Sequence, residues 1–209
     1  MEIVTAERVF LRMAREYRHS AITPENESEK LIALIKKLLK FKTTSDQDIM
    51  NLLDEVIRII ASELEINEVS ILLLDKKDKK YRYVLFYGLR KEVVKHHKEL
   101  AYTLDEIIEY GNKSMKKISD TTFVCFAENR TEEEAKFFNL HINKKRAFDD
   151  DYIEGDFFDT YIYDSNSQFI GYIEYTGTKK NKMPPAKTIL TIELMAAIIG
   201  TLLSNHYAT

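Results

Sequence analysis

FFDTYIYD at 157–164, the short turn Ser165–Ser167 and FIGYIEYTG at 169–177 read together as a β-hairpin. Phe158, Tyr161, Ile162 and Tyr163 are aromatic or β-branched and suit a pleated, half-buried surface. Asp164, Ser165, Asn166 and Ser167 supply the turn, because short polar side chains bond the nearby backbone. Gly171 lies inside the second strand, where glycine weakens the ladder unless something approaches closely, so a helix is expected to cross there. Pro184 and Pro185 end the polar connector KKNKM and suit the first turn of a helix. That helix, about Ala186–His206, carries Ile189, Leu190, Ile192, Leu194, Met195, Ile198, Ile199, Leu202 and Leu203.

Toward the N-terminus the apolar period is helical. Residues 2–19 place Ile3, Ala6, Val9, Phe10, Met13 and Tyr17 on one face. Pro24 interrupts the pattern. Leu31 to Phe41 forms a second wide apolar face after Ser28. Ser45 followed by Asp48 resembles a helix-start box for a third helix, about Gln47–Leu64. The period then changes. VSILLLD at 69–75 is short and continuously apolar, as expected for a strand covered on both faces, and YRYVLFYG at 81–88 returns after a charged turn. Short helices are expected at Arg90–Leu100 and Leu104–Tyr110, a strand at Thr121–Phe126, and a helix at Thr131–Leu140. Asn143–Asp156 reads as a charged loop. Strands joined by tight turns rather than helical crossovers imply a mostly antiparallel sheet. The fold class is therefore α+β: five to six strands, with N- and C-terminal helices on one face and the middle segment on the other.

The 209 residues are 44% hydrophobic and 31% charged, with a net charge of −3, an ordinary balance for a soluble protein. That charge argues against binding duplex nucleic acid, which needs clustered Lys and Arg. One cysteine, Cys125, excludes an internal disulfide and fits a reducing compartment. The charged N-terminus lacks a signal-peptide core, and the longest apolar run, Leu194–Gly200, is far below the ~20 residues that span a bilayer. No membrane span and a cytoplasmic location are expected.

The order VSILLLD–turn–YRYVLFYG, then DTYIYD–turn–QFIGYIEYTG and a long apolar helix, resembles the GAF domain family. Phe169-Ile170-Gly171-Tyr172-Ile173 matches that family's Ile-Gly-hydrophobic strand after a polar turn. A PAS-like fold shares a sheet with helices on one face, and the helices before the first strand and after the last favour GAF. The resemblance covers about residues 46–206. It implies an N-terminal helical extension at 1–45 and a GAF-like sensory domain at 46–209. It also implies small-molecule binding between the sheet and the irregular connections, with pairing through terminal helices.

Candidate site residues follow from the strands. Tyr83, Tyr87, Phe123, Tyr161 and Tyr163, with Tyr172 nearby, join apolar bodies to polar tips, as small-ligand pockets require. They would also serve simply as core. Cys125 is the remaining candidate. Bilin-binding members place His after their Cys, whereas Phe126 stands here, and sulfoxide-reducing members need a resolving thiol. A buried, inert cysteine is the plain alternative. Asn112-Lys113 with Phe123 and Glu128 is similar to a cyclic-nucleotide-binding pattern, but Ala127 replaces its Asp. The histidines at 19, 96, 97, 141 and 206 lack metal spacing and read as surface residues. Asp149, Asp150, Asp151, Glu154, Asp156 and Asp159 read as a solvated, mobile acidic loop; a ligand entering near it is expected to be cationic or metal-bridged.

The expected function is a stand-alone sensory domain that binds a small effector and signals through its terminal helices to a separate output protein, as a homodimer. The alternatives are a dimerisation module whose pocket its own side chains fill, and a redox enzyme using Cys125. The sequence names no cofactor or ligand.

Overall fold

The computed structural model describes residues 5–22, 28–131 and 145–207. Three helices come first: α1 (Ala6–Ile22), α2 (Ser28–Leu38) and α3 (Asp46–Ser62). Ser45 caps α3 in a reciprocal box with Asp48, which satisfies otherwise orphaned amides of the first turn. Strands β1 (Val69–Asp75) and β2 (Lys80–Tyr87) follow, then helices α4 (Lys91–Glu99) and α5 (Leu104–Ser114). Next come β3 (Lys116–Lys117), β4 (Thr122–Cys125), β5 (Phe157–Tyr163), β6 (Phe169–Tyr175) and the closing helix α6 (Ala186–Tyr207). The expected helix at 131–140 falls, apart from its first residue, outside the described residues.

The strands form one six-stranded sheet in the order β2-β1-β6-β5-β4-β3, and every pairing is antiparallel. Helices α1, α2, α3 and α6 share one core with the sheet face that presents Ile71, Phe158, Ile162 and Tyr175. Val9 and Met13 of α1 and Leu38 of α2 belong to this same core. By length and composition α6 could cross a membrane between Ala186 and Ser204, yet half of that stretch is buried within the protein. Ile189, Ile192, Met195, Ile199 and Leu203 are fully buried, each worth roughly 1.5–3 kcal/mol over exposure. Its apolar circumference reflects contact with the sheet on one side and with α1, α2 and α3 on others.

No helix crosses at Gly171. A Cβ there would meet the Leu72 carbonyl oxygen of the adjacent strand β1, and its φ is +156°. The β5–β6 register shifts beside it, with Ile162 opposite Gly171 and Tyr163 opposite Phe169. The glycine therefore marks a β-bulge that reverses the alternation. Ile170 and Ile173 face the helix-side core, whereas Phe169 and Tyr172 face the other side. Helix and sheet instead touch at Gly200 of α6, where a Cβ would strike the Tyr163 carbonyl of β5.

Several acids of the stretch at 149–159 have cationic partners, some on the surface and one enclosed. Asp150 and Asp151 pair with Lys182 at 3.0 and 2.8 Å. Asp156 is buried beside Arg146, whose side chain is fully enclosed. Arg146 donates to both oxygens of Asp156 at 2.6 and 2.8 Å, to both of Glu128 at 2.8 Å, and to the Asp151 carbonyl at 2.6 Å. Such a fork fixes two carboxylates at once. Burial opposes the guanidinium charge, but the Asp156 and Glu128 carboxylates outweigh it and hold the proton more firmly than usual.

Candidate functional site

The sheet face opposite the terminal helices carries a second, smaller cluster of Leu72, Tyr81, Tyr83, Ile107 and Tyr172. Beside it opens a cavity of ≈ 920 Å³. Alternate residues of β5 and β6 form its floor: Phe157 and Asp159, then Tyr172 and Glu174, with Thr176 just past the end of β6. Tyr83 of β2 adds to that floor. Val93 and His97 of α4, and Glu106, Ile107 and Tyr110 of α5, close one side. Arg130 and the segment Tyr152–Asp156, tied down through Arg146, close another. The volume lies within the ~300–1,000 Å³ typical of small-ligand pockets.

The floor carries two carboxylates side by side, since Asp159 and Glu174 are direct cross-strand partners. Like charges opposite one another on a sheet repel, and burial magnifies the cost. Glu174 is satisfied: the Ser70 hydroxyl donates to it at 3.1 Å and the Tyr83 hydroxyl at 2.9 Å. The Tyr83 and Tyr172 hydroxyls lie 3.0 Å apart. Asp159 is 5% exposed, and its Oδ1 has no hydrogen-bond partner among the described residues. Burial, reinforced by Glu174 and opposed by Arg130, holds the Asp159 carboxyl well above the usual carboxylate range. Arg130 itself stacks 4.7 Å from the Phe157 ring centroid and donates from Nε to the Gly155 carbonyl at 3.0 Å.

His97 is a buried residue of this wall rather than a surface one, 5% exposed. Its Nδ1 lies 2.8 Å from the Val93 carbonyl, and its ring meets Tyr83 edge-on at 4.7 Å. Among the described residues no group of three or more His, Cys, Asp or Glu side chains is arranged to hold a metal ion.

The sequence-selected residues distribute unevenly around this cavity. Tyr83 lines it. Cys125 is fully buried, its Sγ 3.9 Å from the hydroxyl of Tyr110, which does line it. Phe123, Tyr161 and Tyr163 form a neighbouring aromatic row, with Phe123 and Tyr161 centroids 4.7 Å apart and Tyr161 and Tyr163 6.3 Å apart. Tyr87 is exposed at the end of β2. Of the floor carboxylates, Asp159 reads by sequence only as a member of the acidic group at 149–159, and Glu174 is not among the candidates. Their signal was present in FFDTYIYD and YIEYTG: an ionisable residue inside a strand whose neighbours are nearly all aromatic or aliphatic.

Comparison with known proteins adds the fold. No family model matches the sequence, and no curated protein matches it. Among solved structures, the GAF domain of an Acinetobacter phosphoenolpyruvate-protein phosphotransferase is similar, with a TM-score of 0.53 and 13% identity over 90% of this chain and 98% of that one. A GAF domain/HD domain protein from Geobacter sulfurreducens superposes with a TM-score of 0.55 and 11% identity, covering 78% of this chain and 95% of that one. Residues 122 to 287 of a methyl-accepting chemotaxis protein give a TM-score of 0.52 at 13% identity, covering 86% and 99%. At such identities the likeness speaks to architecture alone.

Proposed function

From a chain with the GAF fold, we propose a sensory or regulatory domain that binds a small molecule in the cavity between the sheet and α4–α5. The cavity of ≈ 920 Å³ carries this reading. A dimerisation module with a self-filled pocket would pack this space with its own side chains. Redox chemistry at Cys125 would require a thiol that reactants reach, whereas this one is enclosed and 0% exposed.

Transmission to the terminal helices has a physical basis in β5. Asp159 faces the cavity, and the next residue, Thr160, faces the helices. The Thr160 and Thr122 hydroxyls lie 2.9 Å apart, and Thr122 donates to Glu193 of α6 at 2.7 Å. Tyr17 of α1 donates to the same carboxylate. A ligand that displaces β5 would thus act on α1 and α6 through Glu193. It shifts their arrangement only as far as its affinity differs between the two states. A homodimer through these helices and a separate output protein complete the proposal.

Native mass spectrometry of protein purified from its own host tests it. An adduct of a few hundred daltons is expected on the wild type and not on Val93→Trp, which fills the cavity. A wild type that carries no adduct and gains none from a cell metabolite extract would overturn it.

A further inference from the structure

Two observations on the cavity floor point to the chemistry of the occupant. Asp159 and Glu174 face each other across β5 and β6, and the Asp159 Oδ1 is buried without a partner among the described residues. Glu174 already accepts two hydroxyl donors, so Asp159 is where a donor is missing. Tyr83, Tyr102 and Tyr172 line the cavity beside the pair, with the Tyr83 hydroxyl turned to Glu174. Val93, Leu100, Ile107 and Met115 give the cavity an apolar stretch of wall, while Arg90, Arg130, Glu106 and Glu154 line it elsewhere.

We infer that the cavity takes an organic ammonium ion on an aromatic or apolar body, with its N–H groups donated to Asp159 and its positive charge set against the Asp159–Glu174 pair. This deepens the small-molecule reading and rests on it. An ammonium supplies the donor that Oδ1 lacks and, once Asp159 gives up its proton, offsets the repulsion between the two carboxylates, while its body covers the apolar stretch of wall. A carboxylate or phosphate ligand would set a further negative charge beside Glu174, with Arg130 as the counter-charge that acts on this part of the floor. A neutral body without a donor would leave Oδ1 unpaired, and a hydroxyl would pair with it but bring no charge to offset Glu174.

Binding is also linked to protons. Glu174 of β6 and Arg130 after β4 act on Asp159 through their charges, as Asp159 does on the hydroxyls of Tyr83, Tyr102, Tyr161 and Tyr172; His97 of α4, Glu106 of α5, and Glu154 and Asp156 of the far wall line the same cavity. With no ligand, the Asp159 carboxyl retains its proton far above the ordinary range because of burial and Glu174. Pairing with an ammonium favours the ionised form, so binding expels that proton and tightens as pH rises.

The test is isothermal titration of the full chain with 2-phenylethylamine, 2-phenylethanol and phenylacetate, repeated in buffers of different ionisation enthalpy. The amine is expected to bind at least about tenfold more tightly than the alcohol, as a charge-assisted hydrogen bond implies, and to release about one proton. Phenylacetate is expected not to bind. Asp159→Asn, isosteric and uncharged, is expected to abolish both the preference and the proton release while alcohol binding persists. Equal binding of amine and alcohol, or retention of the preference in Asp159→Asn, would sink the ammonium assignment while leaving a small-molecule cavity standing. Tighter binding of phenylacetate would do the same. If none of the three binds, the ammonium class is refuted, and the adduct measurement separately decides whether the cavity is a ligand site at all.

Discussion

Replacing Asp159 with Asn should change how stability depends on pH, in a direction the structure dictates. In the unfolded chain this carboxyl titrates at about 3.9. In the folded chain burial and Glu174 hold its proton well above that value. Between the two, the folded state binds one more proton than the unfolded state, so the free energy of unfolding falls as pH rises. Below pH ~4 both states are protonated and the effect vanishes. Above it, one carboxyl sets a limiting slope of about 1.4 kcal/mol per pH unit, which ends once pH passes the folded-state value. Asn carries no such proton. The stability of wild type relative to Asp159→Asn should therefore decline from pH ~4.5 upward, leaving the variant more stable at neutral pH. With a urea slope of about 2 kcal/mol/M, the midpoints should separate by roughly 0.7 M per pH unit. Urea unfolding followed by far-ultraviolet circular dichroism from pH 4.5 to 7.5 measures this. Parallel pH profiles would refute the reasoning, and a wild type that gained relative stability with pH would show that Asp159 is held ionised.

Other sites give equally direct expectations. Arg146→Met leaves the Asp156 carboxylate buried without its counter-ion, and should cost about 3–5 kcal/mol in urea unfolding. A loss below about 1 kcal/mol would mean that the clamp does not offset its own desolvation. Gly171→Ala forces a Cβ onto the Leu72 carbonyl at a positive φ and should lower stability by roughly 2–4 kcal/mol, read as a fall in the thermal midpoint. An unchanged midpoint would refute the assigned bulge. Tyr17→Phe removes a donor to Glu193, whose burial and carboxylate partner push the tyrosine up to about 12. Faster amide hydrogen exchange confined to α1 is expected, and an unaltered pattern would show that other contacts hold that helix.

How much of this was legible in the chain differs between fold and site. The 157–177 hairpin, its Asx turn at Asp164, the cap at Ser45 and the closing helix were readable because each rests on residues close in sequence. Strand periodicity, short polar turns and apolar helical stripes are local, and they specify an antiparallel α+β domain. The six-strand order was not readable. β1 pairs with β6 across about half of the chain's length, and only the packed sheet brings Ser70 opposite Glu174. Gly171 shows the same limit: glycine announced a close approach, but a neighbouring strand, not a helix, supplied it.

The site was even less legible, for a related reason. By sequence, Asp159 was one of several acids in a polar stretch, Glu174 a lone charge in a strand, and His97 a surface residue. Tertiary structure separated those acids into surface partners of Lys182, a buried partner of Arg146, and Asp159 on a cavity floor, whose Oδ1 has no partner among the described residues. Composition and spacing determined that this chain folds as a mostly antiparallel sheet with its terminal helices on one face, because those rules act over a few residues. Which side chains share one enclosed space depends on contacts between residues tens of positions apart, and only the folded chain decides them.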